Sequence, residues 1–221
     1  MSTITGNLVV TGNISAATMD VSASAVTNAS VHANAAIARS KLEQNVLEIY
    51  PIPLTDFRVW DAFQTNLPGT SASDDLGLYG GTFGTNTPKI KTYDVKNAGA
   101  VTLYARACVR VPIEYDDAQT IQLRFRAGME TTVASVSATI DCQAYERVIT
   151  GGAVGSDLVS TSAQSINSLT FANIDFTLDG TDLVGGDWLD VRVVVAVNDS
   201  ATVTAVIASI ASIELLCDVK G

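Results

Sequence analysis

Carboxylate side chains are the main candidates for catalysis or metal binding in this sequence. They form three acidic clusters: Glu114 with Asp116 and Asp117, Asp74 with Asp75, and Asp179 with Asp182 and Asp187. Two carboxylates at a set separation can hydrolyse a glycoside, and about six to eight oxygen ligands bind Ca²⁺. Asp is also a common turn residue, because its side chain mimics a backbone turn. The surrounding glycines and prolines favour turns, and calcium binding is the alternative.

Glu114 and Asp116 form the best catalytic pair, because residues two apart share one face of an extended segment. Their setting, "PIEYDDAQ", nevertheless favours solvation and turn formation over catalysis. The single histidine, His32, has no neighbouring cysteine or carboxylate and predicts no metal site. No nucleophile elbow, Walker loop or dinucleotide-binding loop occurs. The sequence therefore predicts a protein that is not an enzyme and carries no metal or cofactor.

The cysteines Cys108, Cys142 and Cys217 all lie in apolar, strand-like segments. An odd number without paired spacing is a poor basis for disulfides or a zinc site. We expect all three to be small buried side chains, which suits synthesis in a reducing cytoplasm.

Aromatic side chains are concentrated between residues 57 and 93. They are Phe57, Trp60, Phe63, Tyr79, Phe83 and Tyr93. Exposed aromatic residues on loops can stack on sugar rings. Alternatively, "DFRVWDAF" is the first strand of a domain, with its aromatic residues packed in a core or along a trimer axis. The structural interpretation is favoured.

Charge and hydropathy exclude several partners. Lys and Arg number 13 against 23 Asp and Glu, so the formal net charge is −10. A protein this acidic has no general electrostatic attraction for nucleic acid or for an anionic membrane. Residues 1–20 lack a basic segment, and Thr, Gly and Asn interrupt their apolar residues, so we expect no secretory signal. No apolar run approaches the roughly 20 residues that a membrane helix needs. We expect neither nucleic acid nor a membrane as a partner.

Residues 51–221 show the period of β-strands. The segments "TIQLRFRAG", "VASVSATIDCQAYE" and "DWLDVRVVVAVND" alternate apolar and polar residues, while "LTFANIDFTL" reads as a strand with a bulge. Strict alternation is typical of half-buried antiparallel strands, and turn residues separate the runs. The predicted fold is all-β, an antiparallel jelly-roll-like β-sandwich preceded by an extended N-terminal arm with a short helix.

Residues 1–50 form the predicted arm. "ITGN" at 4–7 returns as "VTGN" at 10–13, residues 15–38 are almost all small, and "ARSKLEQNVLEIY" at 38–50 has rough helical spacing up to Pro51. Too few large apolar side chains are present for a separate core. We expect the arm to serve anchoring and trimerisation by pairing with copies of itself or lying on a larger assembly. The residues assigned to assembly are Ile4, Gly6, Leu8, Val10, Gly12, Ile14, Ile37 and Leu42.

The chain resembles tailed-bacteriophage virion structural proteins. "LTFANIDFTLDGTDLVGGDWLDVRVVV" is similar to the late strands of their jelly-roll domains, and "ITGNLVVTGN" with "NAAIARSKLEQ" resembles the N-terminal arms of head-fibre, decoration and tail-fibre proteins. The resemblance implies a homotrimeric head fibre, decoration or cement protein that is made in the host cytoplasm and attached to capsid or other virion proteins. The alternative is a tail-fibre jelly roll that binds host-surface glycan or another receptor.

Residues 191–197 support the trimer on physical grounds. Val194 and Ala196 lie on the face opposite Val191, Val193 and their neighbours, so this strand is apolar on both sides. A strand of that kind is covered on both sides. The partner sheet covers one side of the strand, and a neighbouring subunit could cover the other.

Overall fold

The computed structural model describes residues 46–147 and 154–220. The eight residues assigned to assembly lie outside the described residues, as does His32. Ten strands lie within these ranges: β1 Val46–Pro51, β2 Gly77–Tyr79, β3 Lys89–Lys91, β4 Gly99–Arg110, β5 Ile121–Met129, β6 Ser137–Glu146, β7 Gln164–Ser165, β8 Ala172–Thr177, β9 Trp188–Asp199 and β10 Ala208–Val219. The one 3-10 turn described is Leu54–Asp56. No helix in these ranges is long and apolar enough to cross a membrane.

Two antiparallel sheets form the described domain. The six-stranded sheet has the order β2-β3-β10-β5-β8, with β1 also paired to β10, and the four-stranded sheet has the order β4-β9-β6-β7. Both sheets are amphipathic and bury their apolar faces together. The predicted all-β, jelly-roll-like sandwich is confirmed.

The core lies between the sheets and follows the predicted alternation. Side chains of the six-stranded sheet that point inward are mostly large, and those of the four-stranded sheet are mostly small. The first group includes Ile121, Leu123, Phe125, Phe176 and Leu215, and the second includes Ala105, Ala107, Ala138, Ala144, Val191, Val193 and Val195. The rings of Phe125 and Phe176 meet edge to face with centroids 5.7 Å apart. Large residues opposite small ones fill the space between the sheets without overpacking.

The helix predicted over 38–50 is wrong in its described part. Val46–Pro51 is β1, and its register with β10 runs from Val46 opposite Val219 to Pro51 opposite Glu214. Val46, Ile49 and Tyr50 suit a strand, and pairing with β10 outweighs the weak helical periodicity. β1 crosses the boundary predicted near residue 50, while the role of the preceding arm stays a prediction.

Three further local expectations are corrected. The alternation in "VASVSATIDCQAYE" predicts that Val136 shares the inward face of Ala138 and Ile140, but Val136 precedes β6 and is 58% exposed. β8 pairs with β5 without a register shift, so the predicted bulge in "LTFANIDFTL" is absent from this pairing. The register shift lies in β10, between Ile210 and Ser212. "DFRVWDAF" forms no strand: after the 3-10 turn, Arg58 alone makes isolated bridges, to Asn66 and Arg106.

Candidate functional site

The outer face of the four-stranded sheet, meaning the side of β4, β9 and β6 that points away from the core, carries a dense array of polar and aromatic side chains. Antiparallel pairing sets these side chains in rows across the three strands. Four consecutive rows are Arg110–Trp188, Cys108–Asp190–Tyr145, Arg106–Arg192–Gln143 and Tyr104–Val194–Asp141. Buried alanines, valines and other apolar residues alternate with these positions and hold the rows in place.

Two loop segments extend this face along the free edge of β4. The N–H of Arg58 donates to the carbonyl of Arg106 at 2.8 Å, and the N–H of Arg106 donates back at 3.1 Å. Earlier on the same strand, the N–H of Tyr104 donates to the carbonyl of Asp74 at 2.7 Å, and the N–H of Leu76 donates to the carbonyl of Tyr104 at 2.9 Å. The loop after Arg58 is thereby held beside the outer face.

Trp60 lies against Tyr104 at this edge. The ring centroids are 5.0 Å apart and the ring planes are inclined by 44°. The indole Nε1 of Trp60 donates a hydrogen bond to Oδ2 of Asp74 at 3.0 Å, which orients the ring. Phe63, from the same loop, is 36% exposed. The loop therefore places two aromatic rings beside the strand residues of the outer face.

Two arginines lie directly opposite each other at the centre of the face. Arg106 forms a bidentate ion pair with Asp190, with 2.6 Å between Nε and Oδ1. The hydrogen bond from Arg106 to Asp190 raises the pKa of Arg106 above its usual value. Arg192 donates from Nε to Oε1 of Gln143 at 2.9 Å. Its guanidinium carbon lies 5.3 Å from the Trp60 ring centroid and 5.2 Å from that of Tyr104, within the range of cation–π attraction.

The predicted burial of all three cysteines is wrong for Cys108. Cys108 alternates with the inward-facing Ala107 and Val109, so it lies half-buried on the outer face, where Nη1 of Arg147 lies 3.7 Å from its Sγ. Burial raises the pKa of the Cys108 thiol, and burial raises the pKa of Cys217 to about 11. Burial also raises the pKa of Cys142 well above its usual value. All three thiols are therefore protonated near neutral pH, which disfavours nucleophilic reactivity.

Several acidic residues make turn and surface contacts. Asp179 accepts from the N–H of Thr181 at 3.0 Å, and Asp187 accepts from the N–H of Val184 at 2.8 Å. In the first cluster, Asp117 forms an ion pair with Lys220 at 3.3 Å. Among residues 46–147 and 154–220, no group of three or more His, Cys, Asp or Glu residues could hold a metal ion.

The aromatic residues between 57 and 93 do not form a common core. Phe57 is buried, whereas Phe63 and Tyr79 are each 36% exposed and Phe83 is 102% exposed. Trp60 and Tyr93 are half-buried. Core packing, the first form of the structural interpretation, is therefore wrong for Phe63, Tyr79 and Phe83 and confirmed for Phe57. Packing along a trimer axis stays a prediction. Between the 3-10 turn and β2, this segment pairs with β4 only at the isolated bridges of Arg58 and Asp75.

The functional candidates on the strands were missed by sequence reasoning. They are Tyr104, Arg106, Gln143, Asp190 and Arg192. The available signal was the type of residue between consecutive core positions: Arg106 lies between two alanines, and Arg192 lies between two valines. Solvent-facing positions of a strand tolerate many residue types, so their meeting in one row could not be found without the register of the sheet.

The comparisons with known proteins concern the fold. No protein-family model and no curated protein matches the sequence. One similar solved structure comes from work on the promiscuous specificity of carbohydrate-binding modules from the β-sandwich superfamily. Its sequence is 14% identical to this one, the TM-score is 0.42, and the match covers 74% of this chain. This chain spans 58% of that structure's chain.

Two further structures are similar to this chain. The xylan-binding module CBM15 is 12% identical with a TM-score of 0.40, covering 80% of this chain and 100% of its own. The enzymatically active domain of tailspike protein 4 from bacteriophage CBA120 is 13% identical with a TM-score of 0.32, covering 76% of this chain and 19% of its own. At these identities a likeness carries no argument about ligand or origin. The class that the described residues define is an antiparallel jelly-roll-like β-sandwich.

Proposed function

We propose that the protein is a non-enzymatic carbohydrate-binding β-sandwich, and that the outer face of its four-stranded sheet is the binding surface. The observation that carries the proposal is the contact of Trp60 and Tyr104 with Arg192 in the middle of this face. Aromatic rings there adjoin side chains that donate and accept hydrogen bonds in fixed directions.

Saccharides match this combination. A pyranose ring has an apolar C–H surface that packs on an aromatic ring, and hydroxyl groups around its edge that both donate and accept hydrogen bonds. Arg106, Arg192, Gln143 and Asp190 present planar groups whose partners already fix their orientation. Side chains ordered before binding lose little conformational entropy when the ligand arrives. An open sheet face also accommodates a chain of several sugars.

Binding without catalysis is part of the proposal. Glycoside hydrolysis needs an acid and a second carboxylate across the scissile bond. Asp190, the carboxylate at the centre of the face, forms both of its close contacts with Arg106, so both of its oxygens are already engaged by the guanidinium. Glu114 and Asp116 lie on the segment after Pro112, near the end of β4. We expect no new reducing ends when bound polysaccharide is incubated with the protein.

Affinity electrophoresis in gels that contain single polysaccharides, followed by calorimetry, tests the proposal. The panel includes neutral and acidic polymers. Trp60→Ala removes an aromatic ring from the face, and Phe83→Ala is the matched control, because Phe83 is an exposed aromatic residue on another loop. We expect a gel containing the bound polysaccharide to slow the migration of the wild type and of Phe83→Ala. Trp60→Ala should migrate as it does without polysaccharide. Wild-type protein that no polymer retards, or equal retardation of both variants, would contradict the proposal.

The second candidate is a structural subunit of a phage particle, and β1 is the observation that favours it. Leu47 and Ile49 on this strand are 51% and 52% exposed. Among the described residues β1 pairs only with β10. Exposed apolar residues on a strand with a free edge are typical of an interface. We infer a homotrimer whose arm attaches it to capsid or other virion proteins, and this role is compatible with glycan binding by the sandwich.

Native mass in solution tests this second candidate. The double variant Leu47→Glu and Ile49→Glu should convert a trimer to a monomer without unfolding, and Val203→Glu, at a site 83% exposed, is the control. Deletion of residues 1–40 should leave a folded β domain that no longer joins its particle. A monomeric wild type at micromolar concentration would contradict the trimer, and normal incorporation of the truncated chain would contradict the anchoring role.

A further inference from the structure

Arginine is concentrated on the outer face of the four-stranded sheet. Four of the eight arginines in the chain are Arg106, Arg110, Arg147 and Arg192. Arg110, Arg106 and Arg192 occupy positions in the rows defined above. The N–H of Arg147 donates to the carbonyl of Trp188 at 2.7 Å, so Arg147 continues the row of Arg110. This concentration is notable in a chain with a net charge of −10.

The charges on this face do not balance among the described residues. Asp190 pairs with Arg106, while the ion pairs within residues 46–147 and 154–220 include none with Arg110, Arg147 or Arg192. Arg192 instead contacts the neutral amide of Gln143. Asp141, one row away, accepts from the N–H of Cys142 at 2.9 Å. The four arginines outnumber the three carboxylates of these rows and their β4 edge, which belong to Asp190, Asp141 and Asp74. The face therefore carries a small excess of positive charge within a strongly acidic protein.

The central pair of this array does not stabilise the sheet by mutual attraction. Arg106 and Arg192 are directly opposite on neighbouring strands, where like charges repel each other. The guanidinium of Arg192 is already oriented, because its Nε and Nη2 both donate to Oε1 of Gln143. Its Nη1 has no acceptor among the described residues and so can donate to a ligand. An anion there would relieve the repulsion and satisfy these donors.

We propose that the saccharide bound by this face is anionic, with its carboxylate or sulfate ester groups on Arg192 and Arg147. This inference rests on the proposed function and adds the charge of the ligand to it. Guanidinium groups donate paired hydrogen bonds to oxyanions, while Trp60 and Tyr104 contact the sugar rings. The remote negative charges of the protein do not prevent binding, because at about 0.15 M salt they are screened beyond about 8 Å.

Paired polymers that differ only in charge test the inference. Polygalacturonate and alginate supply carboxylates and are compared with their carboxyl-reduced forms, whereas carrageenan supplies sulfate esters and is compared with its desulfated form. Affinity electrophoresis and calorimetry are performed at about 0.15 M salt. Arg147→Gln and Arg192→Gln each remove one charge from the face, and Arg126→Gln, on the opposite sheet, is the matched control. Arg126 contacts Asn173 at 3.1 Å.

We expect at least one charged polymer to bind about tenfold or more tightly than its neutral form, because a hydrogen bond between charged groups has a large effect on affinity. Arg147→Gln and Arg192→Gln should each remove most of this preference, and Arg126→Gln should retain it. The polymer pair that shows the preference identifies carboxylate or sulfate. Arg147 is exposed, so its variant serves as the mutational test if Arg192→Gln fails to fold.

Equal affinity for charged and neutral forms would overturn the inference while leaving the proposed function intact. Tighter binding of neutral polymers would also overturn the inference alone. So would a preference for the charged polymer that remains in both Arg147→Gln and Arg192→Gln. Absence of binding to every charged and neutral polymer would overturn the inference and the proposed function together.

Discussion

Asp74 controls the position of Trp60 and the strand beneath it at the same time. Its Oδ2 accepts from the indole Nε1 of Trp60 at 3.0 Å, and its backbone carbonyl accepts from the N–H of Tyr104 at 2.7 Å. One residue therefore holds the loop ring and the strand ring whose centroids lie 5.0 Å apart. The aromatic part of the outer face depends on a side chain that need not touch the ligand.

Replacement of Asp74 by Ala should loosen Trp60. We expect affinity for the bound polysaccharide to fall about three- to tenfold, the size of effect typical for loss of one hydrogen bond. The fluorescence of Trp60, measured in a Trp188→Phe background, should shift to longer wavelength as the ring becomes more solvated. Asp61→Ala, at an exposed carboxylate in the same loop, is the control. An unchanged emission maximum in the Asp74 variant would contradict the positioning role.

Asp190→Asn should have opposite effects on stability and on binding. The variant weakens the bidentate pair with Arg106, which is partly exposed, so we expect a loss of only about 0.5–1.5 kcal/mol in the free energy of unfolding. It also leaves Arg106 without its carboxylate partner, so affinity for an anionic saccharide should rise. Urea unfolding and calorimetry measure the two effects. A fall in affinity for the charged polymer, with the fold intact, would contradict the electrostatic account of the face.

Asp199 should make stability depend on pH in the acid range. Burial acts to raise its pKa, but hydrogen bonds from Thr202, from the N–H of Ser135 at 2.7 Å and from that of Asn97 at 2.9 Å outweigh burial and hold the pKa well below its usual value. A carboxylate with a lowered folded pKa stabilises the fold above its unfolded pKa of about 3.9, and this contribution is lost as pH falls towards the folded pKa.

Asp199→Asn tests this pH dependence. The variant should have a lower urea midpoint than the wild type at pH 7, and the difference should narrow progressively below about pH 4. Asp182→Asn, at an exposed carboxylate on a loop, is the control and should leave the midpoint unchanged at every pH. A difference that is the same at pH 7 and in acid would show that the ionised form of Asp199 contributes nothing to stability.

Gly180 should tolerate no side chain. A Cβ at this position would meet Oη of Tyr115 and lie 2.8 Å from the backbone carbonyl oxygen of Gln119. Tyr115 is fully buried and donates from its hydroxyl to that same carbonyl at 2.8 Å, so the ring cannot move aside cheaply. We expect Gly180→Ala to lower the free energy of unfolding by about 1–3 kcal/mol. Gly80→Ala is the control, because nothing lies within 4 Å of its added Cβ. Equal urea midpoints for the two variants would contradict this account.

The pattern of apolar residues was sufficient to predict the strands and their inward faces. Alternation at Val191, Val193, Val195 and Val197 predicted both β9 and the side it buries, because the side-chain period of a strand is local and follows from backbone geometry alone. The same rule explains the error at Cys108. Ala107 and Val109 are also apolar and occupy the inward positions, so composition alone could not assign its face.

Elements that depend on distant partners could not be predicted. Residues 46–51 had helical spacing in the sequence, but β10, which lies more than 150 residues further along the chain, pairs with them as a strand. The aromatic residues of 57–63 were recognised as a sugar-binding alternative, yet their placement depends on single bridges to β4. Long-range hydrogen bonds of this kind outweigh local propensity, and they leave no periodic signal in the sequence.

The β-sandwich with two apolar inward faces could be predicted from local patterns, because alternation and turn residues act over a few neighbouring positions. Which outward-facing residues meet depends on how the strands pair in the folded domain. Arg106 and Arg192 are 86 residues apart in the chain, yet they are directly opposite on neighbouring strands, with Trp60 brought over them by the edge of β4. Register and strand order are properties of the whole sheet, so the candidate site arises from pairing that no local pattern contains.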